Sequence, residues 1–143
     1  MIRFVKTCEK ALPRQHPVGM TFQNRGGKNE TLFDSPADWI SPNPDGGFQA
    51  NPPDMHGRKV VLTDTDHLWG IGGNAAWVWK SVTRGLNPIF MDPYDGIVMA
   101  PDITGSFEPL RIALGCALAV TRRMNLVRAT PQNALASTEY CLA

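Results

Sequence analysis

The sequence predicts an α/β protein whose strands run parallel and are joined by helical crossovers. Two patterns carry that expectation. The periodic segments follow the order helix, strand, loop, strand, helix, strand, helix, and alternation of this kind implies parallel pairing. Each strand segment also ends in polar residues on its C-terminal side, where open α/β sheets and (β/α) barrels place their sites. The chain has 143 residues, 43% hydrophobic and 19% charged, which suits one domain with a packed core and argues against disorder.

Residues 2–12 form the first expected helix, with Ile2, Val5, Cys8 and Leu12 near one face and Pro13 as its stop. Residues 17–22 read as a short strand. Residues 23–57 are rich in Gly, Asn, Asp and Pro and read as one long loop. Within it, Ser35 as N-cap and Pro36 at the first helical position suggest a single helical turn. Residues 59–65, KVVLTDT, are the best strand in the chain, β-branched at the start and polar at the end. A helix over residues 74–84 follows, with Gly85 at its stop. Residues 88–92, PIFMD, make a third strand, and a helix over 107–124 opens with Ser106 as a candidate N-cap. Residues 125–143 are mixed.

Composition excludes several classes. Fourteen basic residues against 13 acidic ones give a net charge of +1, with no block of like charge to suggest nucleic-acid binding or an anionic membrane surface. No run approaches the roughly 20 apolar residues of a spanning helix. Residues 1–12 read as an amphipathic helix rather than the basic and apolar regions of a signal peptide. Cys8, Cys116 and Cys141 lack paired or zinc-type spacing and read as buried thiols. A metal site from His56, Asp64, Asp66 and His67 has no ligand signature, so no metal or other cofactor is expected.

The segment 59–92 supports two readings. Gly70, Gly72 and Ala75 fit G-x-G-x-x-A between a strand and a helix, and Asp92 lies 20 residues beyond Gly72, where a ribose-binding acid is expected. In a dinucleotide fold, however, the first glycine follows directly on the buried strand. Here Asp64, Asp66, His67 and Trp69 intervene, and a pyrophosphate beside two aspartates would meet like charge. The stronger reading takes Asp64, Asp66 and His67 as the site. Two residues apart on a strand, the aspartates leave one face with roughly 6 to 7 Å between them. Glycosidases use such a carboxylate pair, one group protonating the leaving oxygen while the other attacks or activates water. His67 would orient either. Trp69, Trp77 and Tyr94 would supply flat apolar surfaces for a sugar ring, Trp69 being the best placed, and Gln23, Asn24, Arg25 and Asp92 polar contacts to it.

The segments LTDTDHLWGIGG, AWVWKSVTRGLNPIFMDPYDG and LASTEYCLA resemble the apiosidase-like glycoside hydrolase family, a (β/α)8-barrel group whose barrel is followed by a β domain named for collagen binding. The resemblance runs from Ile2 to Ala143. It implies a partial (β/α)8 (TIM) barrel, strands about six to eight with their helices, and makes residues 125–143 a linker toward the β domain. It puts Asp64, Asp66 and His67 at the seventh strand's C-terminal end, where related barrels carry the nucleophile or base, although aspartates stand here where glutamate is commoner. A barrel needs about eight strands to close, so the resemblance implies a fragment of an often exported hydrolase of plant-type or complex polysaccharides, inactive alone.

Plainer readings stand beside these. Asp64 and Asp66 would also cap the glycine turn through backbone N–H groups, and His67 would serve as a satisfied structural histidine. Asp92 and Tyr94 flank Pro93 as ordinary turn chemistry, and Gln23, Asn24 and Arg25 are ordinary in a Gly-rich loop. Trp77 and Trp79 face different ways on their helix, so at least one packs on the sheet. The expected partners are a carbohydrate and the missing parts of the parent, with neither nucleic acid nor membrane. A non-catalytic carbohydrate-binding or scaffold remnant is the rival from another class.

Overall fold

A computed structural model describes residues 1–23, 25–43, 47–65, 73–91 and 107–143. It is α/β, as expected. Four strands, β1 (Gly19–Thr21), β2 (Trp39–Ser41), β3 (Val60–Asp64) and β4 (Asn87–Ile89), form one sheet in the order β1-β2-β3-β4. All pairings are parallel: Gly19 lies opposite Trp39, Ile40 opposite Val61, and Asp64 opposite Ile89. Among the described residues, no helix is long and apolar enough to cross a membrane.

Strand β2 sits in the middle of what the sequence presents as a loop over 23–57, and it separates β1 from β3. Helix α2 (Asn29–Asp34) occupies the same stretch. Ser35 ends α2 rather than opening a turn: its N–H and hydroxyl both donate to the Leu32 carbonyl, and Pro36 forbids continuation. Other helix limits shift as well, the end of the last helix moving from 124 to Thr121. Helix α1 (Ile2–Glu9) ends three residues early, leaving Leu12 exposed. The cap of α4 (Glu108–Thr121) falls on Phe107, while Ser106 lies outside the described residues.

Helix α3 (Ala75–Thr83) matches its sequence signals at both ends. Asn74 Oδ1 accepts from the Trp77 N–H at 2.9 Å, a side-chain N-cap. At the other end Gly85, at φ +78°, donates to Val82 and Leu86 donates to Ser81, the two bonds of a Schellman stop. Trp77 is buried in a cluster with Leu110, Ala113 and Ala117 of α4, so its ring is not open to a sugar, and Trp79 is exposed.

Strand alternation gives the sheet two unlike faces. Ile40 and Val61 pack with Leu32 of α2, Phe48 and Leu86, flanked by Met20 and Phe22. Beyond them Trp77 and Val78 of α3 meet Leu110, Ala113 and Ala117 of α4, with Phe90 beside them. The opposite face carries Trp39, Val60, Leu62 and Ile89. None of these enters either cluster among the described residues, and Val60 and Ile89 are 51% and 40% exposed. The cysteines are not buried thiols: Cys8 and Cys116 are exposed and Cys141 is half-buried, each as a free thiol.

Candidate functional site

Asp64 closes β3 at the C-terminal end of the sheet, on the face away from Val61 and Thr63, and is buried there. Its position follows from period-2 alternation: Val61 and Thr63 turn toward the helices, so Leu62 and Asp64 turn away. The carboxylate is 8% exposed and accepts a hydrogen bond from the Ser41 hydroxyl, Oγ to Oδ2 2.7 Å. Ser41 ends β2 and is itself buried. Two adjacent parallel strands therefore converge on one carboxylate, and further interactions hold both residues.

The rim around this pair is built from polar groups that replace ladder bonds where the strands stop. Asn43 donates its N–H to Asn29 Oδ1 at 2.9 Å, and Asn29 Nδ2 returns a bond to the Asn43 carbonyl at 3.2 Å, tying the exit of β2 to the first turn of α2. Thr65 is fully buried. Its hydroxyl accepts from the Met91 N–H at 2.9 Å and donates to the Met91 carbonyl at 3.2 Å, so β3 and β4 stay in register past their last paired residues.

Of the residues assigned from the sequence to the catalytic group and the polar contacts of the carbohydrate site, Asp64, Gln23 and Arg25 are described. Gln23 and Arg25 are exposed in the turn that follows β1, at the same end of the sheet as Asp64. The turn is tight: the Gln23 carbonyl accepts from the Gly27 N–H, and a Cβ on Gly27 would stand 2.3 Å from that oxygen. Asp66, His67, Trp69, Asn24, Asp92 and Tyr94 lie outside the described residues, as do Gly70 and Gly72. Among the described residues no cluster of His, Cys, Asp or Glu is arranged to hold a metal ion.

Ser41, Asn43 and Asn29 escaped the sequence reading because they lie in the stretch taken as loop. The available signal was polar Ser41 following apolar Trp39 and Ile40, the same apolar-to-polar transition that marks the end of β3. A groove of about 600 Å³ lies at the other end of the sheet, where Val60, Asn87, Leu118, Leu126 and Leu142 line it. It is remote from Asp64 by the length of β3. No family model, curated protein or solved structure matches the chain.

Proposed function

We propose that the chain is the C-terminal half of a barrel-type glycoside hydrolase, acting on a glycosidic bond of a plant-type or complex polysaccharide and inactive on its own. The supporting observation is the sheet: among the described residues, parallel strands in sequence order, one face on which Ile40 and Val61 pack with Leu32 of α2, and an acidic residue ending a strand on the other. In a (β/α)8 barrel the helix-free face is the interior and the C-terminal strand ends carry the chemistry. Exposed Val60 and Ile89 are what interior positions look like when half the barrel is absent. With four strands among the described residues, one more than the sequence shows, strands six to eight are joined by one before them.

Asp66 then takes the lead role. It is two residues beyond Asp64 in the sequence, and Asp64 is already engaged by the Ser41 hydroxyl. Asp64, buried and bonded to Ser41, is then a positioning residue that fixes the strand end, and His67 keeps the orienting role read from the sequence. The sheet order also weighs against the dinucleotide reading, since the four strands among the described residues run in sequence order without the reversal that makes a switch point.

The held state of Asp64 favours a second reading, a non-catalytic carbohydrate-binding remnant. The test extends the chain with its upstream coding segment and assays both forms on aryl glycosides and plant polysaccharides. Hydrolysis by the extended chain alone, abolished by Asp66→Asn, is the expected result. Sugar binding without hydrolysis by the extended chain supports the remnant. Turnover by the 143-residue chain, or an upstream segment encoding no further strand-helix units, overturns the proposal.

A further inference from the structure

Helix α4 is apolar on two faces, and its own fold uses only one. Leu110, Ala113 and Ala117 pack on α3. On the far side Ile112 is 57% exposed and Cys116 is exposed, and Val120 flanks them at 46%. A helix apolar all round is ordinarily covered all round.

Gly115 sits between these exposed residues. Glycine inside a helix is less stable than alanine, and a Cβ at this position would meet nothing within 4 Å. The chain's own packing therefore gives no reason for glycine at 115. A second backbone approaching closely would.

Charge says what that second backbone is. Spaced by helical turns along the exposed face run Glu108, Ile112, Gly115, Cys116, Ala119 and Arg123, with acid at the N-terminal end and base just past the C-terminal cap. The series is self-complementary about the midpoint between Gly115 and Cys116. Reversal places Glu108 against Arg123, Ile112 against Ala119, and Gly115 against Cys116. An antiparallel copy of the same helix matches each position, and opposed helix dipoles add to the fit.

We propose that this face of α4 is the interface of a two-fold symmetric dimer, with a second copy of this chain lying antiparallel across Gly115. The patch is one helix wide, so the dimer is weak and concentration-dependent. It is independent of any catalytic role for the strand ends.

Sedimentation of the full chain over a wide concentration range tests it, in a background with Cys8 and Cys141 replaced by alanine. Reversible dimerisation is expected, with a short bismaleimide joining the two Cys116 thiols. Gly115→Leu raises helix propensity, so it leaves the fold intact while weakening the dimer by at least about tenfold, the equivalent of one hot-spot contact. Glu108→Arg and Arg123→Glu each weaken association, and combining them restores it. A chain that stays monomeric, a dimer indifferent to Gly115→Leu, or a combined charge swap no better than its single changes overturns the proposal. A face that becomes protected only when the upstream segment is present assigns it to a neighbouring helix, and also overturns it.

Discussion

The Ser41 hydroxyl donates to the Asp64 carboxylate at 2.7 Å, joining the last residues of two neighbouring parallel strands through buried side chains. Both groups have left water, so removing the donor leaves an oxygen of a buried acid one partner short. Ser41→Ala should destabilise the fold by about 1 to 3 kcal/mol. A double-mutant cycle with Asp64→Asn, followed by urea denaturation, should give a coupling of about 0.5 kcal/mol or more. Additive effects would mean the bond carries no stability.

Gly19 and Trp39 make a second cross-strand fit. They face each other in the register, and a Cβ on Gly19 would stand 1.9 Å from the Trp39 indole. The ring occupies the space that any other residue would need. Gly19→Ala should therefore cost about 1 to 3 kcal/mol by overpacking, and adding Trp39→Ala should recover part of it. Thermal melts of the two variants and their combination decide the point.

Among the described residues, two buried hydroxyls have no hydrogen-bond partner. Thr63 on β3 and Ser81 on α3 are both buried, each with its oxygen unsatisfied. Replacing an unsatisfied buried polar group by an apolar one of the same shape is neutral or stabilising. Thr63→Val should raise the melting temperature or leave it unchanged, and Ser81→Ala should do likewise. A loss above about 1 kcal/mol for either would reveal a partner for that hydroxyl.

The elements legible in the sequence are those with their own local signals. Strand β3 has a β-branched run, and α3 has Asn74 at one end and Gly85 at the other. Strand β2 has neither length nor pattern. Its three residues, Trp39–Ser41, form a strand because Ile40 is buried against Leu32 and Val61 and because β1 and β3 pair with it on both sides. Ser35-Pro36 illustrates a real ambiguity, since a hydroxyl followed by proline serves as a helix start or as a helix stop. Only the tertiary position of Leu32 and Phe33 decides between them. The same gap hid half of the site: the end of β3 announced Asp64, but its partner Ser41 belongs to the strand that was not visible.

Residues beyond α4 fold back onto the body, and Tyr140 is the clasp. Its ring lies 4.4 Å from the Arg84 guanidinium carbon and 5.4 Å from the Lys80 ammonium nitrogen, and its hydroxyl donates to Asn51. Asp54 reinforces the contact by pairing with Arg84, which raises the Arg84 pKa, and by accepting from Asn133 Nδ2 at 2.6 Å. Tyr140→Ala should release this tail and speed tryptic cleavage after exposed Arg128, with about 1 to 2 kcal/mol lost. Tyr140→Phe, which keeps the ring, should retain most of the protection.

Helix α1 should detach in acid before the sheet unfolds. Two carboxylates anchor it: Asp38 binds the Lys6 ammonium and the Val18 N–H, and Glu9 binds the His16 N–H and imidazole. Both carboxyl pKa values are held below their usual range, Asp38 first by the Lys6 bond and Glu9 first by the His16 backbone bond. A carboxyl with a depressed folded pKa binds fewer protons when folded, so its contribution is complete above the unfolded value. It is lost as pH falls through the folded one. Protection of the amides in residues 2–9, measured against their intrinsic exchange rates, should accordingly be unchanged from neutrality down to about pH 5 and fall below about pH 4, the range in which free carboxyls protonate. Asp38→Asn should remove part of that acid dependence by loosening α1 at neutral pH. Equal loss of protection in α1 and β3 at every acidic pH would show that the helix and the sheet unfold as one unit.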